Sequence, residues 1–392
     1  MKKKVKVIAA MSPKESSLCS LPTGQVGGLR KIRKVIVAMS GGVDSSVAAA
    51  LLKSRGFDVT GVFMKFWQAP GERAGQSWNR CCSVEAAGRV RAVARKLNIP
   101  FYVVNFSAEF KGAVVDYFLK EYKEGRTPNP CIVCNKEIKF GLLLKKLAEL
   151  KADYIATGHY ARKGLNNNHL SIIDNVLLFQ AKDQTKDQTY FLSQLKQSQL
   201  KKILFPVGDY TKTQVRALAK KFDLSTAETP ESQEVCFVET TTFKFLEKYL
   251  GQKPGKIINE AGETIGEHQG LWFYTIGQRK GIGLSGGPYY VIAKETKANK
   301  LVVSKNKKLL ETKEIIIKNM NWLTGKPLPV PLKVVAKIRY NALLAPAVIK
   351  KISASRYKVT FAKPQIAPAP GQSLVVYSTK KPAQLLASGI IV

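Results

Sequence analysis

No apolar run in this chain reaches the roughly 18 residues needed to cross a bilayer, so a membrane span is not expected. A usual signal peptide is missing too. Met1-Lys2-Lys3-Lys4 leads into Val7-Ile8-Ala9-Ala10-Met11 with Lys6 between them, and residues 1–32 read as a disordered or atypical tail. Residues 6–12 nearly repeat residues 34–40 but lack the glycines and aspartate that follow the second copy, so no function is assigned to them. With no export signal, the six cysteines point to a reducing, cytoplasmic setting, where thiols are catalytic or metal-binding more often than bridged. Acidic residues are scarce: 28 Asp and Glu against 63 Lys and Arg leave a net charge of +35. A surplus of that size argues for a polyanionic partner, nucleic acid before any other, because phosphate contacts release counterions.

At 392 residues, two or three domains are expected. From residue 33 to about 227, strand-like and helix-like runs alternate, the pattern of an α/β Rossmann-like domain with a parallel sheet. Strands are expected at 35–39, 59–64, 101–105 and 154–157, and helices at 83–97, 110–122, 135–150 and 211–222. Residues 228–306 are rich in glycine turns and read as a small central mixed domain. Residues 307–392, with short alternating runs between proline-rich turns, read as an all-β barrel.

The most telling stretch follows the first strand: Ser40-Gly41-Gly42-Val43-Asp44-Ser45-Ser46. A strand, a two-glycine turn and a helix start aim bare backbone N–H groups at one spot, where an anion is stabilised. The lysine of the Walker loop is missing, which excludes an ordinary kinase-type phosphate loop. The pattern is similar instead to the pyrophosphate loop of enzymes that split ATP between the α and β phosphates. As a bare strand-to-helix turn, it would use Asp44 or Ser45 as N-cap.

Cys131 and Cys134 stand at C-x-x-C spacing in a loop entering a helix, after Arg126-Thr127-Pro128-Asn129-Pro130. A helix N-terminus and the nearby Lys136 favour the thiolate, the form needed for sulfur transfer and metal binding alike. Cys236 lies much farther along the chain, as the third thiol of interest. Half of a zinc site, completed by Cys81 and Cys82 or by Cys236 and a histidine, is the alternative. No role is assigned to Cys19, Cys81 or Cys82 individually.

Further segments share a single ordered pattern: T-G-H-Y at residues 157–160, K-D-Q-x-Y-F-L at 186–192 and F-P-V-G at 205–208. G-E-H-Q-G-L at 266–271, Y-T-I-G-Q-R-K-G at 274–281 and P-G-Q at 370–372 continue it. With the two loops above, this order resembles the tRNA-specific 2-thiouridylase family from about residue 33 to the end. The resemblance implies ATP-dependent 2-thiolation of the wobble uridine, position 34 of tRNA. It implies that Ala38, Met39, Ser40, Gly41, Gly42, Val43, Asp44, Ser45, Met64 and Gly158 hold ATP. Asp44 would also position Mg2+ on the pyrophosphate, a role its carboxylate suits.

The same resemblance implies that Asn129, Pro130 and Cys131 touch the target base and that His159, Lys186, Asp187, Gln188, Arg339, Tyr340 and Gln372 contact tRNA. It makes Cys134 the nucleophile and Cys236 the persulfide carrier, the two pairing as a disulfide at the end of the cycle. Many members have aspartate where this chain has Cys131. Three thiols, Cys131, Cys134 and Cys236, also suit a [4Fe–4S] cluster with one open iron, as in related tRNA thiolases. The sulfur then comes either from a persulfide carrier protein or from sulfide on that cluster, and the trio tilts the expectation to the cluster. Two rival readings are a pyrophosphate-loop ligase of the amidotransferase or argininosuccinate type, and a non-catalytic RNA-binding protein. The thiols argue against the first, the intact Gly41, Gly42 and Asp44 against the second.

Overall fold

The computed structural model describes residues 32–69, 83–165, 175–230, 235–238 and 240–392. The tail with Cys19, the loop with Cys81 and Cys82, and residues 231–234 ahead of Cys236 lie outside the described residues.

Strands β1 (Lys34–Ala38), β2 (Asp58–Lys65), β3 (Phe101–Asn105) and β4 (Tyr154–Thr157) form where the β-branched runs stand. After them come a hairpin, β5 (Arg162–Leu165) and β6 (Val176–Phe179), and the two-residue β7 (Ile203–Leu204). The first sheet has the order β3-β2-β1-β4-β7 and all its pairings are parallel. Helices Val43–Ser54 and Val84–Leu97 make the crossovers on either side of β2. Ser83 caps the second through Ala86 N at 3.1 Å, which sets its start. Because β1 lies between β2 and β4, the order reverses there, and a crevice opens beyond the carboxyl ends of β1 and β4. The glycine loop and Gly158-His159 leave the sheet at that crevice.

The helix after the C-x-x-C loop begins earlier than its apolar pattern suggests. Asn129 Oδ1 accepts from Ile132 N at 3.3 Å and Pro130 takes the first helical position, so the helix runs from Pro130. Cys134–Leu142 then widens into a π-helical turn, a feature found mostly at functional sites. Phe237, beside Cys236, packs its ring 5.8 Å from Phe110, 5.2 Å from Phe118 and 5.4 Å from Phe245. Helix Thr242–Leu250 thereby joins the core of the first domain.

Four strands, β8 (Gly255–Ile258), β9 (Thr264–His268), β10 (Tyr290–Glu295) and β11 (Lys300–Ser304), form a small sheet over Ile257, Tyr274, Val291, Leu301 and Val303. The last strands are β12 (Glu311–Trp322), β13 (Leu332–Lys337), β14 (Ala345–Lys351), β15 (Arg356–Ile366), β16 (Ser373–Tyr377) and β17 (Gln384–Ile391). They pair in the order β12-β15-β14-β13-β16-β17, and β17 returns to β12, which closes a six-stranded antiparallel barrel. Its inward side chains include Ile317, Val334, Ile349, Val359, Leu374 and Val376. The hairpin β5–β6 was not expected. It leaves the first domain and pairs with β17 at Gln384↔Phe179 and Leu385↔Leu178.

Candidate active site at the domain junction

At the glycine loop the helix N-cap is Gly42, with no side chain satisfying the first turn. Neither Asp44 nor Ser45 caps, contrary to the simple turn reading. Ser45 Oγ instead accepts from Ser40 N at 3.2 Å and donates to Gly42 O at 3.2 Å, which holds the loop closed on itself. Arg89 Nε donates to Gly41 O at 3.0 Å from behind. Gly158 packs directly on this helix start: a Cβ there would lie 2.6 Å from Ser45 N and 2.7 Å from the Asp44 carbonyl carbon. Ala38 and Met64 are buried at the carboxyl ends of β1 and β2, on the same edge.

Asp44 turns away from the helix axis toward the end of β4. Tyr160 Oη donates to its Oδ1 at 2.7 Å, and Lys212 Nζ donates to Oδ1 and Oδ2 at 2.7 and 2.8 Å. Tyr160 is the tyrosine of T-G-H-Y, and Lys212 opens helix Lys212–Lys221. Neither was singled out in the sequence. The available signal was indirect: a phosphate loop without its own lysine needs a cation from elsewhere. One carboxylate among hydroxyls is a donor set suited to Mg2+, which completes its shell with phosphates and water. Asp44 fits that part.

The second half of the site is the loop Arg126-Thr127-Pro128-Asn129, where three domains meet. Thr127 N donates to Pro370 O at 2.8 Å, and Gln372 Nε2 donates to Thr127 O at 3.0 Å and Pro128 O at 3.3 Å. Thr127 Oγ1 donates to Thr275 Oγ1 at 3.2 Å, in the central domain. Gly371 has φ +92°, and a Cβ there would meet Thr127 N at 3.0 Å, so only glycine permits this approach. Arg126 donates to Glu121 twice at 2.6 Å and also to Glu124, which fixes the loop's entry.

From this loop Cys131 enters the helix half-buried, and Cys134 is buried. Cys236 is half-buried and packs against the same core as Cys134. None of the three is disulfide-bonded. Among the described residues no group of three or more His, Cys, Asp or Glu could hold a metal ion. Cys131, Cys134 and Cys236 thus do not form such a group among the described residues, the zinc alternative with Cys81 and Cys82 lies outside them, and no step below runs through either metal. Asn135, next to Cys134, donates to Phe191 O at 3.0 Å.

The expected tRNA residues fall into two groups. Arg339 is exposed, and half-buried Tyr340 stacks at 4.4 Å on Phe191. Half-buried His159 bonds Thr157 Oγ1 at 2.8 Å through Nδ1 and packs beside Phe140. Burial, helped by Lys139, holds its pKa well below the ordinary value, so it meets any partner as a neutral imidazole. Asp187, in contrast, is only 3% exposed; its carboxylate accepts from Ala181 N at 3.1 Å and Thr189 Oγ1 at 2.8 Å. Gln188 Oε1 accepts from Tyr160 N at 3.0 Å. These two side chains brace the site from within, whereas neighbouring Lys186 is half-buried. Buried Lys337 belongs to the same brace: burial pushes its pKa down while the Asp187 carboxylate pulls it up.

Family models match consecutive parts of the chain. The tRNA methyl transferase HUP domain covers residues 33–240 and the tRNA methyl transferase PRC-barrel domain residues 243–305. The aminomethyltransferase beta-barrel domain covers residues 312–391. The tRNA-specific 2-thiouridylase MnmA of Carboxydothermus hydrogenoformans is 46% identical over 363 residues, 92% of this chain and 97% of that protein. Its namesake in Lachnoclostridium phytofermentans is 44% identical over 351 residues, 88% of this chain and 96% of that protein. The Clostridioides difficile namesake is 43% identical over 349 residues, 88% and 95% of the two chains. Similarity at this level across the Rossmann-like domain, the central domain and the closed barrel means that the chain belongs to the tRNA-specific 2-thiouridylase family.

Proposed function

We propose that this protein is a tRNA uridine 2-sulfurtransferase that uses ATP, releasing AMP and pyrophosphate, to thiolate the wobble uridine at position 34. The observation that carries the reading is the pairing of two loops. A pyrophosphate-type loop lies at the switch point of a parallel sheet, and a thiol-bearing loop is clamped by all three domains. The methyltransferase wording of two family models has no counterpart in this chemistry; the thiols side with the name of the relatives.

The uracil C2 carbonyl is a poor electrophile, and oxide is a poor leaving group. Attack of O2 on the α-phosphate expels pyrophosphate and leaves O2 adenylated, which activates C2 and gives it a good leaving group. The uncapped N–H groups of residues 43–45 and the Ser40 hydroxyl stabilise the charge that develops on the phosphates. Asp44 would hold Mg2+ there, which would supply charge neutralisation for the leaving pyrophosphate. The terminal sulfur of a Cys236 persulfide attacks C2 and AMP leaves. Cys134 thiolate then attacks Cys236 Sγ, which frees the thiocarbonyl and leaves a Cys134–Cys236 disulfide for an external reductant. The persulfide comes from a sulfur-donor protein. Asn129, Pro130 and Cys131 receive the base, splayed from the anticodon loop, where unstacking is inexpensive. Arg339, Tyr340, His159 and Lys186 face the RNA, and the cytoplasm is the setting that reduced thiols and tRNA require.

Incubation with ATP, a persulfide source and unmodified tRNA tests this. AMP, pyrophosphate and 2-thiouridine at the wobble position are expected, whereas ADP or unthiolated tRNA overturns the reading. Iron and sulfide analysis of anaerobically prepared protein separates the carriers: thiolation without iron is the result expected for the persulfide route.

A further inference from the structure

We propose that Lys212 is the phosphate-contacting cation that the glycine loop lacks, parked on Asp44 in the nucleotide-free protein and transferred to the triphosphate when Asp44 turns to the nucleotide's metal. The inference rests on the ATP-dependent reading above. Its first support is electrostatic. Asp44 is in the first turn of the very helix whose open N-terminus receives the anion. An unpaired carboxylate there would repel a triphosphate and oppose the attraction of the helix end.

The second support is the pair itself. Lys212 Nζ reaches both Asp44 oxygens, at 2.7 and 2.8 Å, with the side chains only 12% and 30% exposed. Removing either partner of a pair so sheltered leaves the other uncompensated. An exchange avoids that cost: the carboxylate passes to a metal, the ammonium to a phosphate, and each charge stays matched throughout.

The third support is preorganisation. Thr211 caps the helix that Lys212 begins, and Lys212 N donates to Asp183 Oδ2 at 2.9 Å, so its backbone is fixed. The Tyr160 ring lies 5.7 Å from Nζ while Tyr160 Oη holds Asp44 at 2.7 Å. The exchange then needs only side-chain rotations, of Lys212 to the phosphate and of Asp44 to the metal, with both helix starts in place. Arg89, another cation near the loop, already supports the Gly41 carbonyl.

Full-length Lys212→Met and Lys212→Arg test the exchange. Lys212→Met is expected to weaken MgATP binding at least tenfold and tRNA-dependent AMP release about 100-fold, the range for a lost transition-state donor. Lys212→Arg retains most of the ATP affinity, since a cation remains. Without nucleotide, Mn2+ binding, read by electron paramagnetic resonance, tightens in Lys212→Met because Asp44 has been released. A purely structural ion pair would lower Tm in both variants and leave ATP affinity and Mn2+ binding at wild-type values; that pattern overturns the proposal. If Lys212→Met does not fold, Lys212→Arg decides: an arginine variant that folds yet has lost ATP affinity refutes the charge role. Failure of the wild type to release AMP would instead count against the sulfurtransferase reading, with the Mn2+ measurement still deciding the role of Lys212.

Discussion

The Gln372 side-chain amide donates to the Thr127 carbonyl at 3.0 Å, joining residues separated by 245 positions in the chain. A barrel residue thus sets the backbone of the base-receiving loop. If its work is positioning, Gln372→Ala should lower the rate of thiolation about tenfold or more while tRNA affinity changes less than twofold, because misplaced reacting groups cost rate. Single-turnover thiolation alongside filter binding reads the two separately. A large loss of affinity with an unchanged rate would return Gln372 to direct RNA contact.

Cys134→Ser is expected to abolish 2-thiouridine formation and leave tRNA binding intact, since the hydroxyl replaces a buried thiol of similar size. Cys236→Ser should give the same null product but also lose the protein-bound persulfide, detectable by mass. Turnover by either variant at the wild-type rate would remove that cysteine from the cycle.

Gly158→Ala should damage the nucleotide site without dismantling the fold. Its methyl group would stand 2.6 Å from Ser45 N, a backbone atom that cannot step aside. Overpacking of this kind costs about 1–3 kcal/mol, felt here as displacement of the helix start. Calorimetric titration with ATP should show at least tenfold weaker binding, on the scale of 1.4 kcal/mol per decade. Unchanged affinity would mean that the crevice is wider in solution than in this conformation.

Lys163 gives a pH signature. Burial lowers its pKa to about 8, and its Nζ donates to Ile203 O at 3.0 Å, between the β5–β6 hairpin and β7. The folded-state value lies below the unfolded one of 10.5. Between these values the unfolded chain binds more protons, so this residue makes stability rise as pH climbs through that window and counts against folding below it. Lys163→Met should flatten denaturation midpoints across pH 8 to 10.5 relative to wild type. An unchanged slope would show that Lys163 titrates normally.

The parts of the molecule that were legible in sequence are those that local chemistry determines. β3 and β16 stand where their β-branched runs do, and the Ser40–Ser45 turn follows β1 as its glycines require. The start of the helix from Pro130 was shifted because an Asn-Pro cap outweighs apolar periodicity. The hairpin β5–β6 escaped notice because four-residue strands carry little pattern of their own, and one of them is specified by a partner 200 residues later. Asp187 illustrates the same limit. In sequence it is one charge in a polar run; only the fold reveals four protein donors closing around it. Lys212 and Tyr160 were invisible as Asp44's partners because nothing local joins residues 44, 160 and 212.

The strand pairing between β6 and β17 has one more outcome. The barrel closes through β12 and β17, but the start of β17 is extended by a piece of the nucleotide domain, so a fragment cut near residue 311 would leave the strand edge at Gln384 and Leu385 without its partner. Such a fragment should fray at that corner. Force applied to the barrel by a docked RNA would likewise pass through hydrogen-bonded backbone directly into the segment between β4 and Asp187, with no slack linker to absorb it.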